Sequence, residues 1–175
     1  MDSPKTNKGG IAVRNAGIVL LSTYIEMLFE RLGIVKNKKF LNAAAQADAV
    51  HYLQYVVTGL CKTEEALLPL NKVLCGLPLS EPIHDEIIIS DENKKLINGL
   101  VKAAISHWPA IGDTSINGFR GNWLVRDGLL VEHDDKWELT LEKRAYDVLI
   151  HKSPFSFSII KYAWMDKPLH VTWPY

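Results

Sequence analysis

Histidine is the residue type in this chain that most readily suggests chemistry, because a neutral imidazole binds metals and titrates near neutral pH. None of the six histidines forms the i, i+4 pair of a zinc-binding helix. The phosphate-binding GxxxxGK[ST] loop, the dinucleotide-binding GxGxxG turn and the GxSxG nucleophile elbow are missing as well. We therefore interpret the histidines as scattered structural residues: His51, His84, His107, His133, His151 and His170.

Two of these histidines have neighbouring carboxylates that could form a metal site or an acid–base pair. His84-Asp85-Glu86 follows Pro82 in a predicted loop, and His133-Asp134-Asp135 lies at a predicted hairpin tip. Chelation needs further converging ligands, and general acid–base catalysis needs a pocket and a positioned partner. The sequence offers neither, so a solvated loop and a polar turn are the favoured interpretations. We predict no catalytic residue, no metal site, no cofactor and no enzymatic activity.

The charge composition bears on nucleic acid as a partner. The 20 basic and 20 acidic residues cancel to a formal net charge of zero, whereas a general polyanion binder needs a cationic surface. A predicted helix from Ser115 to Val125 followed by a hairpin resembles the outline of a winged helix, but it contributes only Arg120, with Arg126 just beyond. We therefore predict no nucleic-acid partner and keep a winged-helix-like nucleic-acid adaptor as the alternative function.

The two cysteines and the apolar runs indicate the compartment. Cys61 and Cys75 form neither a CxxC pair nor a zinc-ligand spacing, so we predict reduced core residues. The N-terminus has no signal-sequence pattern, and no apolar run approaches the roughly 18 residues of a membrane span. These patterns predict folding in a cytoplasm and no membrane partner.

Helical periodicity dominates the first two thirds of the chain. The strongest predicted helix begins at the cap Ser90 and ends before Pro109. Another is expected from about Asn42 to Thr58. A third begins either at the cap Thr63 or nearer Leu68, as Pro69 suggests, and the sequence leaves this choice open. A capping box at Thr23 predicts the first helix, which Gly33 terminates.

The last third changes to the alternation that is typical of strands. Residues 129–132 and 137–141 flank a polar turn and predict a β-hairpin, and Phe155–Ile159 and Leu169–Trp173 predict two more strands. The predicted fold class is α+β, with an N-terminal helical bundle followed by a small antiparallel β-rich C-terminal part. Residues 1–10 are predicted to be a flexible lead-in or an expression junction, and residues 11–175 a single domain.

Five tryptophans are distributed mainly over the second half of the chain. Trp108, Trp123 and Trp137 are predicted to pack in the core. For Trp164 and Trp173, core packing and a role as interface anchors remain equally open.

A series of short strings gives the chain a resemblance to a known family. In order they are Asn15–Leu21, Leu28–Gly33, Ala49–Tyr55, Leu70–Gly76, His107-Trp108-Pro109, and an ending from Phe157 through Trp164-Met165 to Leu169–Trp173. Together they resemble the C-terminal conserved region of tape measure proteins of extracellular contractile injection systems, the phage-tail-like particles of bacteria.

The resemblance implies a structural component that helps to set tube length and anchors the tape measure at its C-terminal end. Expected partners are the spike or baseplate hub and the inner tube proteins, with self-association possible. The expected location is the bacterial cytoplasm during assembly and then the injection particle. The family strings and the tail aromatics suggest five partner-binding residues: Asn71, Lys72, Trp164, Met165 and Trp173.

Family members are expected to be much longer and to carry extended helical regions. A helix advances about 1.5 Å per residue, whereas a compact chain of this length has a radius of gyration near 16 Å. A compact domain cannot measure a long tube. The chain is therefore expected to be a C-terminal fragment or a short relative that acts as an anchor or initiation module.

Overall fold

The computed structural model describes residues 9–175. The predicted lead-in over 1–10 lies outside the described residues except for Gly9 and Gly10, which are exposed and precede the first strand. In chain order the helices are α1 Ser22–Arg31, α2 Ala43–Thr58, α3 Pro69–Leu74, α4 Asp91–Ser106 and α5 Ile116–Phe119. The strands are β1 Ile11–Val13, β2 Val35–Lys36, β3 Lys39–Phe40, β4 Gly128–Glu132, β5 Trp137–Leu141, β6 Ile159–Ile160 and β7 Leu169–Thr172.

Five strands form one sheet in the order β1-β4-β5-β7-β6, and β2 and β3 form a separate hairpin. The large sheet is mixed, because β5 and β7 are parallel while the other neighbours are antiparallel. The predicted antiparallel sheet is thus corrected to a mixed one. The parallel pair arises because the chain makes a crossover, through β6, before it returns beside β5.

The α+β class is confirmed, but a separate N-terminal helical bundle is not. The first strand, β1, pairs with β4, so the N-terminal residues belong to the sheet. Between β1 and α1, the 3₁₀ segment Ala16–Leu21 is buried along its whole length and packs against helices and the sheet. The helical and β parts therefore share one interior.

Local capping places the helices. The side chain of Asn42 accepts from the backbone N–H of Ala45 at 2.8 Å, and Ser90 accepts from that of Asn93 at 3.1 Å, as N-caps do. The third helix begins at Pro69, which settles the open choice of start. The predicted capping box at Thr23 is not formed, because α1 continues directly from the 3₁₀ segment.

The predicted hairpin is confirmed as β4 and β5, whereas the two later strands are shorter than predicted. The turn closes with the backbone N–H of His133 donating to the oxygen of Lys136 at 2.8 Å. The strand predicted over Phe155–Ile159 narrows to β6. Phe155 instead packs its ring against Tyr24 and Trp108, and Phe157 packs against Trp173.

The core lies between the sheet and the helices. The three tryptophans predicted to be core, Trp108, Trp123 and Trp137, are buried. Gly17 allows the closest approach, because a Cβ atom there would lie 1.7 Å from the oxygen of Trp123. No helix among residues 9–175 is long and apolar enough to cross a membrane.

Candidate functional site

The structure brings together four of the five predicted partner-binding residues. Asn71 and Lys72 lie on α3, and Trp164 and Met165 lie in the segment between β6 and β7. The indole N–H of Trp164 donates to the oxygen of Leu74 at 2.8 Å, which joins the two segments. Trp173 lies elsewhere, after β7.

Asn71 is buried in a cluster of three amides. Its side-chain N–H donates to the oxygen of Val50 at 2.9 Å and to Gln54 at 3.2 Å. The amide of Asn15 donates to the side-chain oxygens of Gln54 and Asn71 at 2.8 and 2.5 Å. Asn71 therefore links α2, α3 and the N-terminal segment, and it does not reach the surface.

Lys72 is a buried ammonium, with a side chain that is 4% exposed. Its Nζ donates to Glu65 at 2.6 Å and to the backbone oxygens of Leu79 and Glu81 at 3.1 and 2.7 Å. All three donors of the ammonium are thus used. The hydrogen bond from Lys72 lowers the pKa of Glu65. This arrangement fixes the loop after α3, residues 76–81.

Trp164 is half-buried, whereas Met165 is buried beside it. The Trp164 ring packs against Phe29, Phe40 and Tyr162, with centroid distances of 5.9, 4.9 and 5.0 Å. Gly76 accommodates this segment, because a Cβ atom there would lie 2.1 Å from the oxygen of Trp164. The backbone of the α3 terminus and the Trp164 segment are therefore in close contact.

The loop after α3 forms one wall of a surface cavity of about 670 Å³. The hairpin tip and the segment Met165–Lys167 form the others, and we call this cavity the tip groove. Lys167 lines it, and its Nζ lies 3.3 Å from the carboxylate of Glu132 and donates to the oxygen of His133 at 2.6 Å. The remaining charged lining residues, Asp134 and Asp166, are acidic. The tip groove thus combines apolar walls with an excess of carboxylates.

Trp173 belongs to a second cluster, around the buried ion pair of Arg126 and Asp147. Both side chains are inaccessible, and their closest atoms are 2.6 Å apart. The indole N–H of Trp173 donates to Asp147 at 3.0 Å, and the Arg126 guanidinium lies 4.9 Å from the Trp173 ring centre. Burial acts to raise the pKa of Asp147, but hydrogen bonds from Arg126, the Arg144 backbone and Trp173 outweigh it, so that this pKa is lowered.

The buried charges were not found from sequence. Arg126 and Asp147 lie 21 residues apart without any periodic pattern, and Lys72 was predicted to bind a partner, whereas the structure buries it. Asp147 lies in the first turn of the 3₁₀ helix Ala145–Lys152, where an acidic residue accepts from free backbone amides. Its carboxylate accepts from the N–H of Arg144 at 2.9 Å.

The winged-helix alternative lacks support in the structure. The predicted helix reduces to α5 and the π-helical turn Arg120–Leu124. Both candidate phosphate ligands point inward: Arg120 donates to the backbone oxygens of Val56 and Tyr55 at 3.0 and 3.2 Å, and Arg126 is inaccessible. In residues 9–175 no group of three or more His, Cys, Asp or Glu side chains could hold a metal ion.

Comparison with protein families gives one match. The family model described as contractile injection system tape measure protein matches residues 2–173. No curated protein and no solved structure matches the chain. The matched range includes the tip groove and the Arg126–Asp147 cluster.

Proposed function

Because the chain belongs to the family of contractile injection system tape measure proteins, which gives it a structural role within the injection system, we propose that this domain anchors the tape measure at one end of the tube. The partners are the spike or baseplate hub and the inner tube proteins. The anchor is assembled in the bacterial cytoplasm and then enclosed in the particle.

The compactness of the domain carries this proposal. The longest helices, α2 and α4, have 16 residues each, so that each spans roughly 24 Å. The remaining elements fold back into the same core. Residues 9–175 are therefore suited to anchoring the tape measure at a fixed point. Measuring the length of the tube would need an extended segment.

We assign the docking surface of this anchor to the tip groove. Asn71 and Lys72 are buried and do not contact the partner themselves. They stabilise the groove, because their hydrogen bonds hold α3 and the loop that forms one wall. Met165 lines the groove, and the neighbouring Trp164 is half-buried. A carboxylate excess around apolar walls favours a partner with basic side chains at the rim of an apolar contact.

The experiment is a binding assay between the full chain and the purified spike, hub and inner tube proteins of the same injection system. Asp166→Lys reverses an exposed charge in the groove, and Asp135→Lys makes the same change at the hairpin tip outside its lining. We expect Asp166→Lys to weaken binding about tenfold or more and Asp135→Lys to leave it near wild type.

Two outcomes would contradict the proposal. Binding to none of the three proteins would remove the anchor function. Equal weakening by both substitutions would place docking outside the tip groove and leave only a general electrostatic effect, which added salt would abolish. Circular dichroism of both variants confirms that each has folded.

A further inference from the structure

A second groove runs between α1 and α4, and the proposed anchor function does not use it. It has a volume of about 400 Å³ and is lined by apolar side chains that include Met27, Leu96 and Leu100. At one end the hydroxyl of Tyr24 and Nδ1 of His107 lie 3.0 Å apart and close it. We call it the helix groove.

Glycine at the middle of α4 is the first sign that something occupies this groove. Gly99 lines it, is exposed, and has no atom within 4 Å of the position that a Cβ would take. Glycine in a helix interior is unfavourable relative to alanine, and the fold has no steric need for it here. A glycine at such a position allows another backbone to approach closely.

The charges at the open end are the second sign. Arg31 and Lys95 both line the groove there, and neither forms an ion pair within residues 9–175. No carboxylate is among the lining residues, and the nearest acids of α4, Asp91 and Glu92, lie in its first turn. Two cations without a carboxylate partner in this described part of the chain, beside an apolar floor, complement an occupant with a carboxylate at one end.

The shape of the groove indicates the secondary structure of the occupant. From Lys95 to His107 its floor extends along α4 for roughly 18 Å at the helical rise per residue. Both walls are helices whose backbone groups are already paired, so the groove offers no strand edge to an extended peptide. An occupant must satisfy its own backbone, as a helix does.

We propose that the helix groove binds an amphipathic helix of another protein, which crosses α4 at Gly99 and places an acidic residue between Arg31 and Lys95. A second copy of this chain is a poorer occupant, because a two-fold contact through this groove presents cations on both sides and no carboxylate.

Selection from a displayed peptide library tests this. The library consists of helical peptides as long as α4, 16 residues, with all faces randomised, and the full chain is the bait. Enriched peptides should carry apolar residues at i, i+3, i+4 and i+7 and Asp or Glu at one end. Their affinity should fall about tenfold or more for Gly99→Phe, which fills the groove, and for Lys95→Glu.

Two substitutions on α4 outside the groove lining serve as controls. Lys102→Phe adds the same ring, and Lys94→Glu reverses the same charge. Both should bind the selected peptides like the wild type. Gly99→Phe should melt no lower than the wild type, because nothing lies within 4 Å of its Cβ atom and glycine is the less favourable residue in a helix interior.

Three results would overturn the proposal: no enrichment, enriched peptides without the acidic end, or unchanged binding to Gly99→Phe. Light scattering after size-exclusion chromatography can give a fourth contradicting result. A wild-type dimer that Gly99→Phe dissociates into monomers would identify a second copy as the occupant. Failure of the spike, hub and inner tube proteins to bind the tip groove would not affect any of these outcomes, since the two grooves share no lining residue.

Discussion

The buried ion pair of Arg126 and Asp147 should dominate the stability of the C-terminal third, and Asp147→Asn tests this. Both side chains are inaccessible, and removal of one charge from a buried pair typically costs about 3–5 kcal/mol. An asparagine oxygen can still accept from the indole of Trp173 and the backbone of Arg144. Arg126 also keeps the oxygen of Glu142 at 3.0 Å. The expected cost is therefore near the lower limit, about 3 kcal/mol.

Urea unfolding at neutral pH, followed by tryptophan fluorescence, measures this cost. Asp135→Asn is the matched control, because it makes the same change at an exposed hairpin tip and should stay within about 0.5 kcal/mol of the wild type. A loss of about 3 kcal/mol corresponds to a melting temperature that is roughly 6–12 °C lower for a chain of this size.

The pH dependence supplies a second, independent readout. The pKa of Asp147 is lower in the folded protein than its ordinary value, so its ionised form stabilises the fold above the unfolded pKa of about 3.9. The stability gap between wild type and Asp147→Asn should be constant from neutral pH to about pH 5 and should narrow as the pH falls below about 4. A gap under about 0.5 kcal/mol at neutral pH, or one that widens in acid, would refute this reasoning.

Four further outcomes follow from the contacts. Gly17→Ala should prevent folding or lower the free energy of unfolding by more than about 3 kcal/mol, because its Cβ would overlap the oxygen of Trp123. Gly99→Ala should raise the free energy of unfolding by about 1 kcal/mol, because nothing lies near its Cβ, and thermal melts measure both changes. Lys72→Met should cost about 1–3 kcal/mol, because it removes the hydrogen bonds from the buried ammonium to Glu65 and to the oxygens of Leu79 and Glu81. Hydrogen exchange should show faster opening of residues 76–81. The same substitution should raise the pKa of Glu65 toward its ordinary value, which carboxylate NMR titration can follow.

The features that could be predicted from sequence are those set by neighbouring residues. Asn42 and Ser90 cap their helices through bonds that span three residues, so that their effect is visible in a short window. The β4–β5 hairpin is likewise local, because a four-residue polar turn separates two alternating runs. Pro69 marked one of two possible starts of α3, and the structure uses it.

The features that could not be predicted depend on residues far apart in sequence. The pairing of β1 with β4 and of β5 with β7 joins segments whose alternation carries no information about the partner strand. Two of the three partners of Lys72 are backbone oxygens. Every residue has a backbone oxygen, so the residue types in the sequence do not indicate which ones Lys72 contacts. For the tip groove, the sequence predicted only that Met165, which lines it, and the neighbouring Trp164 bind a partner. It gave no prediction of the helix groove.

The buried cations also change how the neutral composition bears on partners. Lys72, Arg120 and Arg126 are buried among the described residues, whereas Asp147 is the one buried acid there. Residues 9–175 contain 18 basic and 19 acidic residues, so the charged side chains that are not buried there include a small excess of carboxylates. A surface of this kind repels phosphates, so it disfavours nucleic acid more strongly than the net charge alone does. Against this surface, Arg31 and Lys95 place two cations, which form no ion pair within residues 9–175, beside an apolar groove. That local contrast is what a partner helix with a carboxylate at one end could recognise.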